Sequence, residues 1–181
     1  MNTLKTALCT LEPLVAAHAS AMFEVLSDRA IYEFENAPPP SAAWLAERYA
    51  RLERRTSADG SQLWLNWVIR LPSGELAGYV QATVLPSREA LVGYELASRF
   101  WRRGIGRAAV AAMLDELAAG YGATLFAAVL KAANHRSLAL LQSLAFAPGS
   151  DAQRAEFHAA ADELLMVRAR GQVLQQRLGA C

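Results

Sequence analysis

Residues 123–130 read ATLFAAVL, and Thr124 is the one polar side chain in the run. A strand with a wet face alternates between apolar and polar residues. A run without alternation needs apolar neighbours on both faces, so this segment predicts the central strand of a sheet covered by helices on both sides. The flanking sequence fits that placement. Upstream, QLWLNWVIRL (62–71), LAGYVQATVL (76–85) and ALVGYELA (90–97) are rich in strand formers and are separated by PSGE and PSRE turns. They predict a meander with a hairpin at Pro72-Ser73-Gly74. Ahead of it lie a strand over 4–11, a helix over 15–27 and a proline-rich loop. A second helix follows, capped by Ser41 and running to about Arg55, with Trp44, Leu45, Tyr49 and Leu52 facing inward. After the meander, strands alternate with helices. Val110, Met113, Leu114 and Leu117 form the buried stripe of one helix, which ends at GYG (120–122). Residues 135–145 form another, with Leu138, Leu141 and Ala145 on one face, and DELLMVRA (162–169) is the last strand. The order β-α-α-β-β-β-α-β-α-β predicts a mixed α/β fold.

A chain of 181 residues that is 54% hydrophobic can bury one core of ordinary size, and we expect one domain over 1–170 followed by a tail, 171–181. A net charge of +1 argues against a nucleic-acid binder. Cys9 and Cys181 lie near opposite ends with no ligand spacing, so neither a disulfide framework nor a metal site is expected. The N-terminus lacks the apolar core of a secretory leader, and no apolar run reaches the roughly 18 residues of a membrane span. The expected location is cytoplasmic, with no membrane partner.

RFWRRGIGRAAV (99–110) is the segment that carries chemistry. Gly104 and Gly106 allow a close backbone approach at the start of a helix whose free amides and dipole favour an anion. Arg99, Arg102, Arg103 and Arg107 surround the spot, which suits a polyphosphate. A solvated charge cluster at a surface helix start accounts for the same residues, and binding of a nucleic-acid backbone is a third, weaker reading. The dinucleotide fingerprint does not apply, because Ala109 stands where its third glycine belongs and no βαβ unit precedes it. No Gly-Lys-Ser/Thr triplet exists for a P-loop.

The order GYELA (93–97), WRRGIG (101–106) and AANHRSLALLQSLAF (132–146) resembles the GNAT superfamily of acyl-CoA-dependent N-acetyltransferases over about 4–168. Within it, the chain is most similar to the RimJ/RimL type. The family motif is Gln/Arg-x-x-Gly-x-Gly/Ala, and here Trp101 takes the first place. The resemblance implies a mixed, mostly antiparallel sheet of about six to seven strands, splayed between the fourth and fifth, with helices on both faces. It implies acetyl-CoA as co-substrate, held by amides of Arg102, Arg103, Gly104, Ile105, Gly106 and Arg107. Freed amides of Leu96 and Ala97 would bond the pantetheine arm, and that of Leu96 would polarise the thioester carbonyl. Asn134 reads as a helix cap, and the resemblance adds a pantetheine contact. The tyrosine that protonates the leaving thiolate in many relatives is matched here by Leu141, so Ser137 is the substitute acid, with solvent as the alternative.

Strand alternation turns Glu95 to the face opposite Tyr94 and Leu96, where it is either the base that deprotonates an amine or a polar residue on an open sheet face. Glu33 and Glu35, with Tyr32, lie in a loop that borders the acceptor site in the resembling fold. They favour a cationic acceptor, a small-molecule or peptide amine. The function expected is direct acetyl transfer in a ternary complex. A regulatory module that binds acyl-CoA with little turnover is the alternative. The last strand and tail leave a homodimer open.

Overall fold

In the computed structural model, which describes residues 1–34 and 36–171, the chain opens with a tight hairpin where the sequence predicts one strand over 4–11. Strand β1 (Leu4–Lys5) turns back into β2 (Thr10–Pro13). The Thr6 hydroxyl causes the break: it accepts from the amides of Leu8 and Cys9 and donates to the Cys9 carbonyl. A 3₁₀ turn over Ala16–His18 leads into α1 (Ala19–Leu26), and α2 (Ala42–Leu52) starts at Ser41, whose side chain accepts from the Trp44 amide. Then come β3 (Leu63–Arg70), β4 (Leu76–Val84), β5 (Glu89–Leu96), α3 (Ile105–Gly120), β6 (Leu125–Lys131) and α4 (His135–Ser143). The chain continues through β7 (Ala147–Pro148), α5 (Asp151–Glu156) and β8 (Glu163–Ala169). Strand β7 and helix α5, with its Ser150–Gln153 capping box, are additions to the sequence reading.

The eight strands form one sheet in the order β1-β2-β3-β4-β5-β6-β8-β7, mostly antiparallel as expected and with one or two strands more than the six to seven predicted. The parallel pair β5 and β6 is joined at three positions, Glu89↔Leu125, Ala90↔Phe126 and Leu91↔Ala127. Beyond Leu91 each strand follows its outer partner. Strand β5 stays on β4 as far as Leu96, and β6 stays on β8 as far as Lys131. The sheet therefore opens into a V at the C-terminal end of β5.

The core lies on both faces of this sheet. Ala77, Tyr79 and Gln81 of β4 look toward α1 and α2; Val80, Ala82 and Val84 look toward α3, by alternation along the strand. Val110, Met113, Leu114 and Leu117 are all buried, as their spacing predicts, and Phe126 and Leu130 pack in β6. Each such side chain contributes about 1.5–3 kcal/mol when fully buried. Helix α2 buries Leu45 and Tyr49, but Trp44, expected inside, is 38% exposed and stacks with Arg48. Leu45 and Tyr49, four residues apart, form the buried stripe, and Trp44 lies one residue, about 100°, off it.

Candidate active site

The V is a site because it brings both faces of β5 to one gap. Glu95 pairs in register with Tyr79 and shares its α1–α2 face, whereas Tyr94 pairs with Val80 on the α3–α4 face. This is the alternation read from the sequence. Three cavities meet there. One, about 750 Å³, runs between the end of β5, the start of α3 and α4. The second, about 400 Å³, fills the V itself, and the third, about 270 Å³, lies under α1 and α2. Among the described residues, Glu95 is the one that lines all three.

The largest cavity contains the glycine-arginine turn. Gly104 is the N-cap of α3 at φ +76°, a conformation that favours glycine, and no side chain caps the helix. The first helical bond runs from the Ala108 amide to the Gly104 carbonyl, so the amides of Ile105, Gly106 and Arg107 have no partner within α3. Gly106 has a second reason to be small. A Cβ there would come within 3.2 Å of Leu140, so its absence lets α4 close on α3. Arg102 and Arg107 line the cavity. Arg99 is engaged elsewhere, 2.8 Å from Glu75 and stacked on Phe100, and Arg103 leans on the same ring. Sequence reasoning missed Arg136, which lines this cavity from α4, stacks on Trp101 at 4.2 Å and pairs with Glu33 at 2.7 Å. Nothing in the local pattern sets it apart from other exposed helix arginines.

The end of β5 divides the two amides expected to be free. That of Ala97 donates to the Ala77 carbonyl at 2.9 Å, which corrects the expectation for that residue: β4 already holds it. By strand alternation the Leu96 amide points the other way, into the V. The Leu96 carbonyl accepts from the Trp101 indole at 2.7 Å, which fastens the turn to the strand. Asn134 is the N-cap of α4, its side chain accepting from the Ser137 amide at 3.1 Å, and it lines both larger cavities. Ser137 Oγ lies 2.6 Å from the Tyr94 hydroxyl. Burial pushes the Tyr94 phenol up to about 12 against the opposing pull of Ser137. Leu141 is buried below them.

On the other face, Tyr79 hydrogen-bonds to Glu95, and burial first and the Glu95 charge second raise its phenol far above the ordinary value. Tyr32 and Tyr49 also line the smallest cavity, and both phenols are raised, chiefly by burial. Tyr32 donates to the Leu26 carbonyl at 2.8 Å. Glu33 is exposed, paired with Arg136, and lines none of the three cavities. Glu35 lies outside the described residues. The loop carrying them is tied to the β5 end by Asp28, which accepts from the Ser98 amide at 2.6 Å. Among the described residues, no group of three or more His, Cys, Asp or Glu is placed to hold a metal ion, and no helix is long and apolar enough to cross a membrane.

The arrangement provides an anion seat, a narrow opening and a carboxylate at the far end. It fits a long anionic thioester on one side and an amine on the other. Comparison with curated proteins by sequence gives no match. Solved structures show the same fold. The ribosomal-protein-S5-alanine acetyltransferase from Vibrio fischeri superposes with a TM-score of 0.78 at 16% identity, covering 95% of this chain and 98% of that one. The ribosomal L7/L12 alpha-N-protein acetyltransferase RimL, in complex with coenzyme A, gives 0.77 at 17%, covering 93% and 98%. Mycobacterium smegmatis RimJ, bound to a coenzyme A disulfide, gives 0.74 at 21%, covering 96% and 88%. The family of acetyltransferase (GNAT) domains matches residues 9–147 of the sequence itself. That match takes in β2, the V and the glycine-arginine turn, and by it this chain belongs to the GNAT acetyltransferases and is an acyl-CoA-dependent N-acetyltransferase.

Proposed function

We propose that the protein transfers an acetyl group from acetyl-CoA to the primary amine of a protein N-terminus or a small molecule, by direct attack in a ternary complex. The observation that carries this is the position of Glu95, common to the three cavities. Bound acetyl-CoA supplies an acyl carbon activated as a thioester, which takes the amine nitrogen and releases the thiol.

The chain does the rest. Amides of Ile105, Gly106 and Arg107 hold the pyrophosphate at the positive end of α3, with Arg102 and Arg107 as clamps. The Leu96 amide, aimed into the V, donates to the carbonyl oxygen as charge develops on it. Asn134 flanks the pantetheine. Glu95, its charge held in place by the Tyr79 phenol, takes the proton from the ammonium or from the nitrogen after attack. Ser137 returns a proton to the departing sulfur, with Tyr94 donating to Ser137 in turn. Cys9 is buried at the first hairpin and its thiol is raised by burial, so it is not a carrier of an acyl group. The three similar structures named for ribosomal-protein acetylation or as RimJ support a protein N-terminus as one acceptor class.

Glu95→Gln should lower kcat by a hundredfold or more, on the order of a general base's contribution, while leaving coenzyme A affinity unchanged. Release of free thiol across a panel of amines reads kcat, and calorimetry reads affinity. Initial-rate patterns should be sequential. An unchanged kcat, or ping-pong patterns with a trapped acetyl-enzyme, would defeat the proposal.

A further inference from the structure

The smallest cavity is more specific than an amine hole. Its floor is Glu95 with Tyr79, and its wall includes Tyr49, which is 3% exposed and whose buried hydroxyl has no hydrogen-bond partner among the described residues. A buried phenol left without a partner is a disfavoured arrangement that a ligand's carbonyl would relieve. Asn66, itself buried, and Gln81 stand on the wall shared with a neighbouring cavity of about 440 Å³, and their carboxamides can each give and take a hydrogen bond from a peptide unit. Arg48 lines both of these cavities and Arg51, one turn on, lines the outer one. Both arginines are exposed, and neither forms an ion pair with a described residue. The acidic mouth that Glu33 suggested in the sequence is neutralised by Arg136. The charged side chains described at the mouth of this cavity are the two arginines.

We infer that the acceptor is a peptide N-terminus with an acidic residue close behind its amine, the amine seated at Glu95, the first peptide units against Tyr49, Asn66 and Gln81, and the acidic side chain on Arg48 and Arg51. This rests on the acetyl-transfer reading above and narrows it. The inner volume, about 270 Å³, lies near the lower end of ordinary ligand clefts (about 300–1,000 Å³), enough for a terminal residue or two and too small for a bulky polycyclic amine. A polyamine would place its second cation against the arginines, which disfavours it.

The test uses the full chain with acetyl-CoA and peptides that differ only at the second and third positions: Glu, Gln or Lys. The glutamate peptide should exceed the glutamine peptide in kcat/KM by about tenfold, the size of two part-exposed ion pairs, and the lysine peptide should be poorest. Arg48→Glu with Arg51→Glu should invert this order while coenzyme A affinity and melting temperature stay near those of the parent. Equal rates across the peptides, or a glutamate preference that survives the double variant, overturn the inference. Free glutamate and aspartate form a second arm. If they turn over as well as the glutamate peptide, the peptide assignment fails and the acidic preference alone remains. Turnover of spermidine with every peptide inert overturns the inference while acetyl transfer stands. Failure of every amine to take the acetyl group removes the underlying reading instead.

Discussion

Two hydroxyls 2.6 Å apart, on Tyr94 and Ser137, occupy the coenzyme side of the V. Ser137 was visible in the sequence because it follows the Asn134 cap by one turn. Tyr94 was not, because an aromatic residue in a strand reads as sheet packing. Its phenol, raised to about 12, remains a proton donor throughout the neutral and mildly alkaline range. Loss of a Tyr94 proton therefore does not limit the rate across that range. We place Tyr94 as a positioning residue for Ser137. Tyr94→Phe should lower kcat several-fold, Ser137→Ala more, and the double variant no further than Ser137→Ala alone, since a chain broken at its last link is insensitive to its first. Steady-state kcat for the four proteins closes this cycle. Additive losses would show that the two hydroxyls act separately. The Trp101–Arg136–Glu33 stack escaped the sequence for a related reason: its members come from three segments that look like unconnected surface.

The V itself depends on how closely β4 approaches β5. Gly78 lies opposite Leu96, and a Cβ built on it would come within 2.0 Å of the Glu95 carbonyl oxygen and 2.8 Å of Leu96 Cα. No side chain fits there, and both atoms it would strike are backbone. Gly78→Ala should push the end of β5 toward the open side and cost about 1–3 kcal/mol, the usual range for overpacking. Denaturant unfolding would measure that. Coenzyme A affinity should fall as well, because the Leu96 amide and the Trp101 anchor move with the strand. Unchanged stability would mean that the sheet tolerates the insertion and that the close approach is incidental. The two strands of the V were each legible from composition. Their divergence was not, because it arises from competition between outer partners, β4 for β5 and β8 for β6.

The outer strands set how the whole molecule responds to acid. Glu12 on β2 accepts two bonds from Arg70 on β3, at 2.7 and 2.8 Å, and Arg70 chiefly holds its carboxyl below the ordinary value. Glu163 on β8 is likewise held down, first by the Ala160 amide and then by Lys131. A carboxyl depressed in the folded state adds stability that is full above its unfolded value, about 4.3, and is lost as pH falls through the folded value. The melting temperature should therefore begin to fall below about pH 6.5, where His18, whose imidazole burial holds below its ordinary value, is protonated more readily in the unfolded chain, and fall further below about pH 4.3 as the carboxyls titrate. Glu12→Gln should destabilise by about 0.5–1 kcal/mol at pH 7, a modest figure because the pair is partly solvated, and the gap from the parent should close in acid. Thermal melts of both proteins at pH 7 and pH 3.5 would show it. A gap that persists unchanged at pH 3.5 would rule out the charge as its origin. The break after Lys5, which the sequence pattern did not show, sits beside Cys9 and Leu11, both buried in the core.

Local pattern was enough for the order of the longer elements, the buried stripe of α3, the faces of β5 and the glycine at the start of α3. Each of these is carried by residues within a turn or two of one another, where periodicity and backbone freedom act directly. Family membership followed from the same short segments in their order. Convergence was a matter of packing. Glu95 reaches three cavities because two strands part beside it, and Tyr49, Arg48 and Asn66 face it from elements that no spacing along the chain connects. The Ala97 amide is taken by a hydrogen bond to Ala77, and Glu33 is paired with Arg136. Such outcomes depend on which partner a polar group meets first in the folded chain, and that is set by register and helix placement across the sheet.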